Sequence, residues 1–416
     1  MDYDVSVIGL GRVGLPLALC FADRGLRVLG IDNEPERLTA VRDGRMPFEE
    51  TGMQEVLDRV GPLDVTDRAA DAARAQHIVI TLGTPSFSHI EIDLSQIRSV
   101  LDDLLGHLEA GHSLTLRSTI APGTTEFVAG YLEKHRGFAI GQDVFVAHAP
   151  ERIAAGKFLE EIGTLPCIVG GVGERSGVIV GELFSVFGAR IVQTTPVQAE
   201  LAKIWTNILR YAMFALPNLL MMDCDQYGAN VFEVIDLINR DYPRGGMPQP
   251  GFTAGTCLRK DFAFSEERSR APGMLLAVSR VNESVPLFLV QGLTRRMGSL
   301  KGKKVAVLGL AFKAGTDDER DSLSHKLIRL LERELADVAV HDPHVATPTQ
   351  SFEEAVIDAD AVVIATNHEE FCGRDALRRI ADGARNQALI VDPWDCFGAA
   401  QVFAYADEIG PVAKLP

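Results

Sequence analysis

No two cysteines of this chain stand at the spacing of a metal knuckle or a disulfide cluster, and that lack excludes a good deal. The six (Cys20, Cys167, Cys224, Cys257, Cys372 and Cys396) are scattered over 416 residues without a CxxC or a Cys/His ligand pattern. Neither a disulfide framework nor a metal site is expected, and the thiols are read as reduced. No apolar run has the uninterrupted length of a membrane span. The opening "MDYDVSVIGLGRVG" carries no basic stretch ahead of its apolar run, so no membrane partner and a cytoplasmic location are expected. Positive charge is short as well: 41 Lys and Arg against 57 Asp and Glu leave a net charge of −16. That balance argues against nucleic acid and anionic membrane surfaces, and means that any anionic ligand is held by local donors. What the chain does have is 46% hydrophobic residues, enough for the cores of two or three domains.

Those residues repeat. "VSVIGLG" (Val5 to Gly11), an amphipathic segment and "LRVLGID" (Leu26 to Asp32) predict strand, helix, strand. Three hundred residues on, "KKVAVLGLAF" (Lys303 to Phe312) leads through "SHKLIRLLEREL" into "DVAVHDP" (Asp337 to Pro343). "HIVITLGTP" (from His77) corresponds to "DAVVIATNH" (from Asp360), and "SLTLRST" (from Ser113) to "ALIVDPW" (from Ala388). The expected fold class is α/β, with two Rossmann-like doubly wound domains. Between them, Pro196 to about Gly228 has helical spacing and reads as one long central helix, with a kink expected at Pro217. The division expected is a nucleotide-binding domain over 1–195, a helical middle domain over 196–300, and a second Rossmann-like domain over 301–416. Apolar residues on more than one face of the long helix, among them Trp205, Tyr211, Met213, Phe214, Met221 and Met222, predict a homodimer through it.

Gly9, Gly11 and Gly14 form G-x-G-x-x-G at the first strand-to-helix turn, and Asp32 ends the next strand. Such a turn lets backbone approach a pyrophosphate at a helix N-terminus, while the acid accepts hydrogen bonds from ribose hydroxyls and repels a 2′-phosphate, which predicts NAD over NADP. "GTP" (Gly83 to Pro85) and "RSTIAPGT" (Arg117 to Thr124) follow the next strands at the same edge, making Thr84 and Thr119 candidates. "APERIAAG" adds Glu151 beyond a further strand.

Cys257 is reached through "PGFTAGTCLRKD" and is expected near the start of a helix, where the dipole and Lys260 favour thiolate over thiol. Asp261, four residues on, shares its helical face and can handle a proton or a water. The other five cysteines are read as structural. On the long helix Glu200, Lys203 and Asn207 share a face, and Lys203 with Asn207 is suited to hold a developing oxyanion.

The order of "GLGRVGLPLA", "GTPS", "RSTIAPGT", "APER", "AELAKIWTN", "PGFTAGTCLRKD" and "LGLAFKAGTDDERDS" resembles the UDP-glucose/GDP-mannose dehydrogenase family over essentially the whole chain. The resemblance implies a cytoplasmic, dimeric nucleotide-sugar 6-dehydrogenase that oxidises a C6 alcohol to the acid with two NAD, through a thiohemiacetal and a thioester on Cys257. It implies a catalytic set of Cys257, Lys203, Asn207, Asp261, Glu151 and Thr119. Around the cofactor it implies Gly9, Gly11, Val13, Gly14, Asp32, Thr84, Pro85, Thr119 and Arg320. The UDP-sugar set adds Arg152, Arg244, Gly251 and Lys313 to Glu151, Lys203 and Asn207, with the C-terminal domain holding the nucleotide. Ala155 stands where members acting on UDP-glucose usually have a second glutamate, which resembles the UDP-N-acetylhexosamine enzymes. "TAGTCLRKD" keeps the ending of the UDP-glucose and GDP-mannose enzymes, and "VDPWDCF" lacks the arginines of the usual "DGRR" segment. Two alternatives are a two-electron hydroxyacid-type dehydrogenase, which needs no thiol, and a non-catalytic NAD-binding protein on the same scaffold.

Overall fold

The structure, a computed structural model, describes residues 1–83, 86–87, 91–92, 94–253, 258, 273–398 and 401–406. The chain forms two compact units, one of Met1–Thr206 and one of the described residues from Asn207 onward.

In the first unit β1 (Tyr3–Ile8), β2 (Val28–Ile31), β3 (Asp64–Thr66), β4 (Ala75–Ile80), β5 (Ser113–Leu116), β6 (Phe145–His148), β7 (Cys167–Gly171) and β8 (Ile191–Thr194) make one sheet. Its order is β8-β7-β6-β5-β4-β1-β2-β3. Only β6 and β7 pair antiparallel. A sheet of this kind is covered on both faces, which is why its strands read as apolar runs rather than alternating ones. Val5, Val7 and Val79 enter one core with Leu15 and Phe21, while Ile8, Ile78 and Ile80 enter the other with Leu101 and Leu132. Strand order reverses between β4 and β1, which opens a crevice at the carboxyl ends.

The second unit repeats the plan with β9 (Lys304–Leu308), β10 (Asp337–His341), β11 (Ala361–Ile364), β12 (Leu389–Val391) and an antiparallel edge strand β13 (Phe403–Tyr405), in the order β10-β9-β11-β12-β13. Its core joins Val305, Val307 and Val363 to Leu327 and Leu331 of the helix Leu323–Arg333 and to Val285, Leu289 and Leu293 of the helix Met274–Met297. The two doubly wound units expected from the sequence are both present. Among the described residues, β3, β7 and β8 have no counterpart in the second sheet.

The long helix runs from Pro196 to Tyr227 through 32 residues, with Pro217 inside it, and passes from one unit into the other at Thr206. Tyr211 and Met221 are buried within the chain, but Val197, Leu201, Trp205, Leu209, Met213, Leu216 and Leu219 are exposed. Spaced by three or four residues, they form one apolar stripe.

Candidate active site

The first turn shows why each glycine is where it is. Gly9 has φ +94°, a conformation that costs glycine little, and donates its N–H to the carbonyl of Ile31 at 2.7 Å. A Cβ on Gly14 would lie 1.8 Å from the Gly9 carbonyl oxygen, so this glycine is required by helix-to-strand packing. A Cβ on Gly11 would meet no protein atom within 4 Å; the space in front of it is open, as a bound pyrophosphate needs. Val13 is the N-cap of the helix Gly14–Asp23 and provides no side-chain cap, leaving backbone N–H donors for a ligand. The residues thus fit a dinucleotide.

Asp32 is 6% exposed and accepts from the N–H groups of Leu10 (2.6 Å) and Glu34 (2.9 Å). It also pairs with the Arg37 guanidinium at 2.7 Å. The sequence places Asn33 and Glu34 directly after Asp32 and hides this partner, which sits one helical turn further on. The Asp32 charge is therefore partly offset.

Thr119 lies on the loop after β5, and that loop is tied at both ends. Arg117 donates its backbone N–H to Ile80 (2.9 Å), and the Ser118 hydroxyl donates to the Leu82 carbonyl (2.5 Å). On the far side, Glu200 is fully buried and accepts from the N–H groups of Gly123 (2.7 Å) and Thr125 (2.9 Å) and from the Thr125 hydroxyl (2.5 Å). Glu200 thus caps the helix Thr124–Arg136 from the long helix, 75 residues away. Burial pushes its carboxyl up, against the hydrogen bonds it accepts. Lys203 is half-buried one turn on, and Asn207, also buried, begins the second unit.

Glu151 is a buried acceptor. One oxygen is paired with Arg117; the other accepts from the N–H groups of Arg152 (2.7 Å) and Ile153 (2.8 Å). Arg117 is itself buried, lies 4.7 Å over the Phe184 ring and donates to the Ala149 carbonyl at 2.9 Å. The Arg152 side chain turns away to the carbonyl of Pro166. Sequence reasoning missed Arg117, although it heads "RSTIAPGT", and His148, which ends β6. His148 is fully buried, shares one ring nitrogen with the Leu116 carbonyl at 2.9 Å, and is pushed down to about 3 by burial, so it is neutral.

In the second unit Gly309 (φ +105°) and Asp342 repeat Gly9 and Asp32, and Leu310 donates to Asp342 at 2.6 Å as Leu10 does to Asp32. Burial pushes the Asp342 carboxyl up, but hydrogen bonds from His368 and from the N–H groups of Ala311, His344 and Leu310 outweigh it and hold it well below the usual carboxylate range. His344, His368 and Glu370 offer possible metal ligands within 4.8 Å of one another. His368, however, accepts from the Gly315 N–H on Nδ1 (3.1 Å) and donates from Nε2 to Asp342 (3.1 Å), leaving no lone pair for a metal. Lys313 is on the loop after β9, and Arg320 there makes a two-bond pair with Asp318 at 2.8 and 2.7 Å. Arg244 is exposed and packs on Tyr242. Gly251 (φ +144°) donates to Asn218 at 2.9 Å, and a Cβ there would lie 2.4 Å from the Trp394 ring, so the chain passes hard against that indole on its way to Cys257. Thr84, Pro85, Cys257, Lys260 and Asp261 lie outside the described residues. Of the cysteines read as structural, Cys20 is pushed up to about 12 by burial, and Cys167 and Cys224 are also raised by burial, which suits none of them to act as a nucleophile.

Three models of one family match the chain: the UDP-glucose/GDP-mannose dehydrogenase NAD binding domain over residues 3–188, its central domain over 197–284 and its UDP binding domain over 306–399. A UDP-N-acetyl-D-mannosamine dehydrogenase of Pyrococcus horikoshii is 35% identical over 378 residues, 88% of this chain and 90% of that one. A solved UDP-D-ManNAc dehydrogenase structure from Pyrococcus horikoshii superposes with a TM-score of 0.86 at 34% identity, covering 94% of both chains. A UDP-glucose dehydrogenase from the hyperthermophilic archaeon Pyrobaculum islandicum gives 0.82 at 29%, again over 94% of each.

Proposed function

The chain belongs to the UDP-glucose/GDP-mannose dehydrogenase family, and from that premise we propose that its sugar is a UDP-N-acetylhexosamine, UDP-N-acetyl-D-mannosamine first, oxidised at C6 from alcohol to carboxylate. The family places it among NAD-dependent oxidoreductases of UDP-sugars. The observation that carries the choice of sugar is the Pyrococcus horikoshii relative, which bears that sugar in its name and matches along nearly the whole chain. Ala155, where a second glutamate would suit UDP-glucose, supports it.

NAD, when bound, supplies the hydride acceptor for both oxidations. Gly9, Gly11, Val13, Gly14 and Asp32 hold it, with Thr84, Pro85, Thr119 and Arg320 completing its surroundings. The Lys203 ammonium and the Asn207 amide hold the C6 oxygen as it gains charge. The Cys257 thiolate adds to the aldehyde carbon, so the half-oxidised sugar stays bound as a thiohemiacetal; its oxidation leaves a thioester. A water held by Thr119 and Glu151 attacks that thioester, Asp261 takes its proton, and Cys257 leaves as thiolate. Glu151 suits the holding role: with Arg117 on one oxygen and two N–H groups on the other, it is a fixed acceptor. Lys313 and Arg244 serve the nucleotide sugar directly, whereas Arg152 and Gly251, engaged with Pro166 and Trp394, serve by shaping the loops.

In this reading residues 1–195 bind the cofactor, 196–300 carry the dimer contact and Cys257, and 301–416 bind the UDP group. The exposed stripe on the long helix, Val197 to Leu219, is the homodimer surface, and the enzyme works in the cytoplasm. Measuring kcat/KM on UDP-N-acetyl-D-mannosamine, UDP-N-acetylglucosamine, UDP-glucose and GDP-mannose tests the sugar. The first should lead by about tenfold or more, which is ~1.4 kcal/mol of barrier. A lead for GDP-mannose overturns the UDP assignment, and a lead for UDP-glucose overturns the hexosamine.

A further inference from the structure

We propose that Cys372 and Cys396 form a reversible dithiol/disulfide pair, a modification site in the second unit that is separate from Cys257 and independent of the sugar chosen above. Both are free thiols, their sulfurs are 2.8 Å apart, and neither residue is fully buried. The fold brings the two together: Cys372 is the N-cap of the helix Gly373–Gly383, Cys396 lies in the loop after β12, and the Gly373 N–H donates to the Cys396 carbonyl at 2.9 Å. The two backbones are therefore pinned beside each other one residue from the sulfurs.

The environments divide the labour. Cys372 stands at a helix N-terminus, where unpaired N–H groups favour thiolate. The hydrogen bond from Cys396 holds the Cys372 thiol below its ordinary value, while that same bond, burial and the Asp392 carboxylate push Cys396 up. Cys372 is the attacking sulfur and Cys396 the resolving one. With a small-molecule disulfide RSSR as oxidant, the Cys372 thiolate attacks one sulfur and displaces RS⁻. Cys396, giving its proton to solvent, then attacks the Cys372 sulfur of the mixed disulfide and displaces the second RS⁻. Two protein thiols lose two electrons, RSSR is reduced to two thiols, and excess thiol reverses both steps.

The position makes the bridge consequential. Cys396 belongs to a loop that Asp392 holds by accepting from the N–H groups of Trp394 (3.0 Å) and Phe397 (3.2 Å). Trp394 is the ring against which Gly251 passes, so the pair shares its loop with a packing contact of the second unit.

The test uses the full chain incubated with oxidised glutathione, trapped with an alkylating reagent and mapped by mass spectrometry without reduction. The expected product is one linked pair of peptides, holding residues 372 and 396 and lighter by two hydrogens, that dithiothreitol separates. Cys396→Ser should stop at a glutathione adduct on Cys372, and Cys372→Ser should leave Cys396 unmodified; circular dichroism shows that each variant is folded. Full alkylation of both cysteines after oxidation overturns the proposal, as does a link from either one to a different cysteine. Since the readout is the link itself, a failure here leaves the catalytic reading intact, and a failure of that reading leaves this one intact.

Discussion

After β1 the chain turns at Gly9 and enters a helix at Gly14; after β9 it turns at Gly309 and enters one only at Leu323. The two turns share a positive-φ glycine, a following leucine that donates to an aspartate, and that aspartate at the end of the neighbouring strand. They differ in what comes next. The first has Gly11 facing open space, an uncapped helix start, and an aspartate whose partner Arg37 is 30% exposed. The second has buried Ala311 in the place of Gly11, and an aspartate locked to His368 with neither side chain exposed. A strand-turn-strand frame is thus not a phosphate site by itself. It becomes one when a glycine opens the backbone and a helix N-terminus follows at once. The second turn runs on into a longer loop that carries Lys313, within the stretch matched by the UDP binding domain.

The largest expected effect separates the two kinds of glycine within the first turn. Gly14→Val sets a Cβ against the Gly9 carbonyl at 1.8 Å, both atoms being backbone-fixed, and should destabilise the first unit by about 3 kcal/mol or more. Gly11→Ala meets nothing and should leave the urea midpoint unchanged while weakening NAD about tenfold or more, as read by calorimetric titration. If Gly11→Ala unfolds the chain, or binds NAD normally, the first turn is not a ligand cradle.

Asp342→Asn sharpens the other half. Replacing a buried carboxylate that accepts from His368 and from backbone N–H groups should cost about 3 kcal/mol, against a smaller loss for the same change at Asp32, whose partner Arg37 is 30% exposed. The folded carboxyl is held below its unfolded value, so its contribution is present above about pH 4 and is lost as pH falls from there through the folded value. Wild type and variant should therefore converge in denaturant midpoint at low pH. A gap that stays constant down to acid would contradict the assignment.

The smallest effect concerns Arg37. NAD should be preferred over NADP, and Arg37→Ala, by freeing the Asp32 charge, should lower kcat/KM for NADP a further few-fold, ~1 kcal/mol, with little change for NAD. A variant that improves with NADP would show that Asp32 does not face the 2′ position.

What was legible in the sequence was local. Glycine spacing, an acid at a strand end, and apolar runs are written within about thirty residues, and they place both sheets and the first turn. What was hidden needed the fold. Arg37 is silent until helix geometry brings it back to Asp32. Arg117 and Glu151 meet only because β5 and β6 are neighbours, and Glu200 finds its helix N-terminus across 75 residues. The two cysteines of the second unit look scattered at 24 residues apart, and only the packing of a helix start against the loop after β12 makes them a pair.

The proposed reaction is two oxidations at one carbon, with the intermediate held on Cys257 while the first turn serves both. Counting NADH formed per UDP-N-acetyl-D-mannosamine consumed, in wild type and in Cys257→Ala, tests it most directly. Wild type should give two NADH with no free aldehyde, and the variant should bind the nucleotide sugar but make no acid. One NADH per sugar, or acid formed by Cys257→Ala within about tenfold of the wild-type rate, would contradict the account.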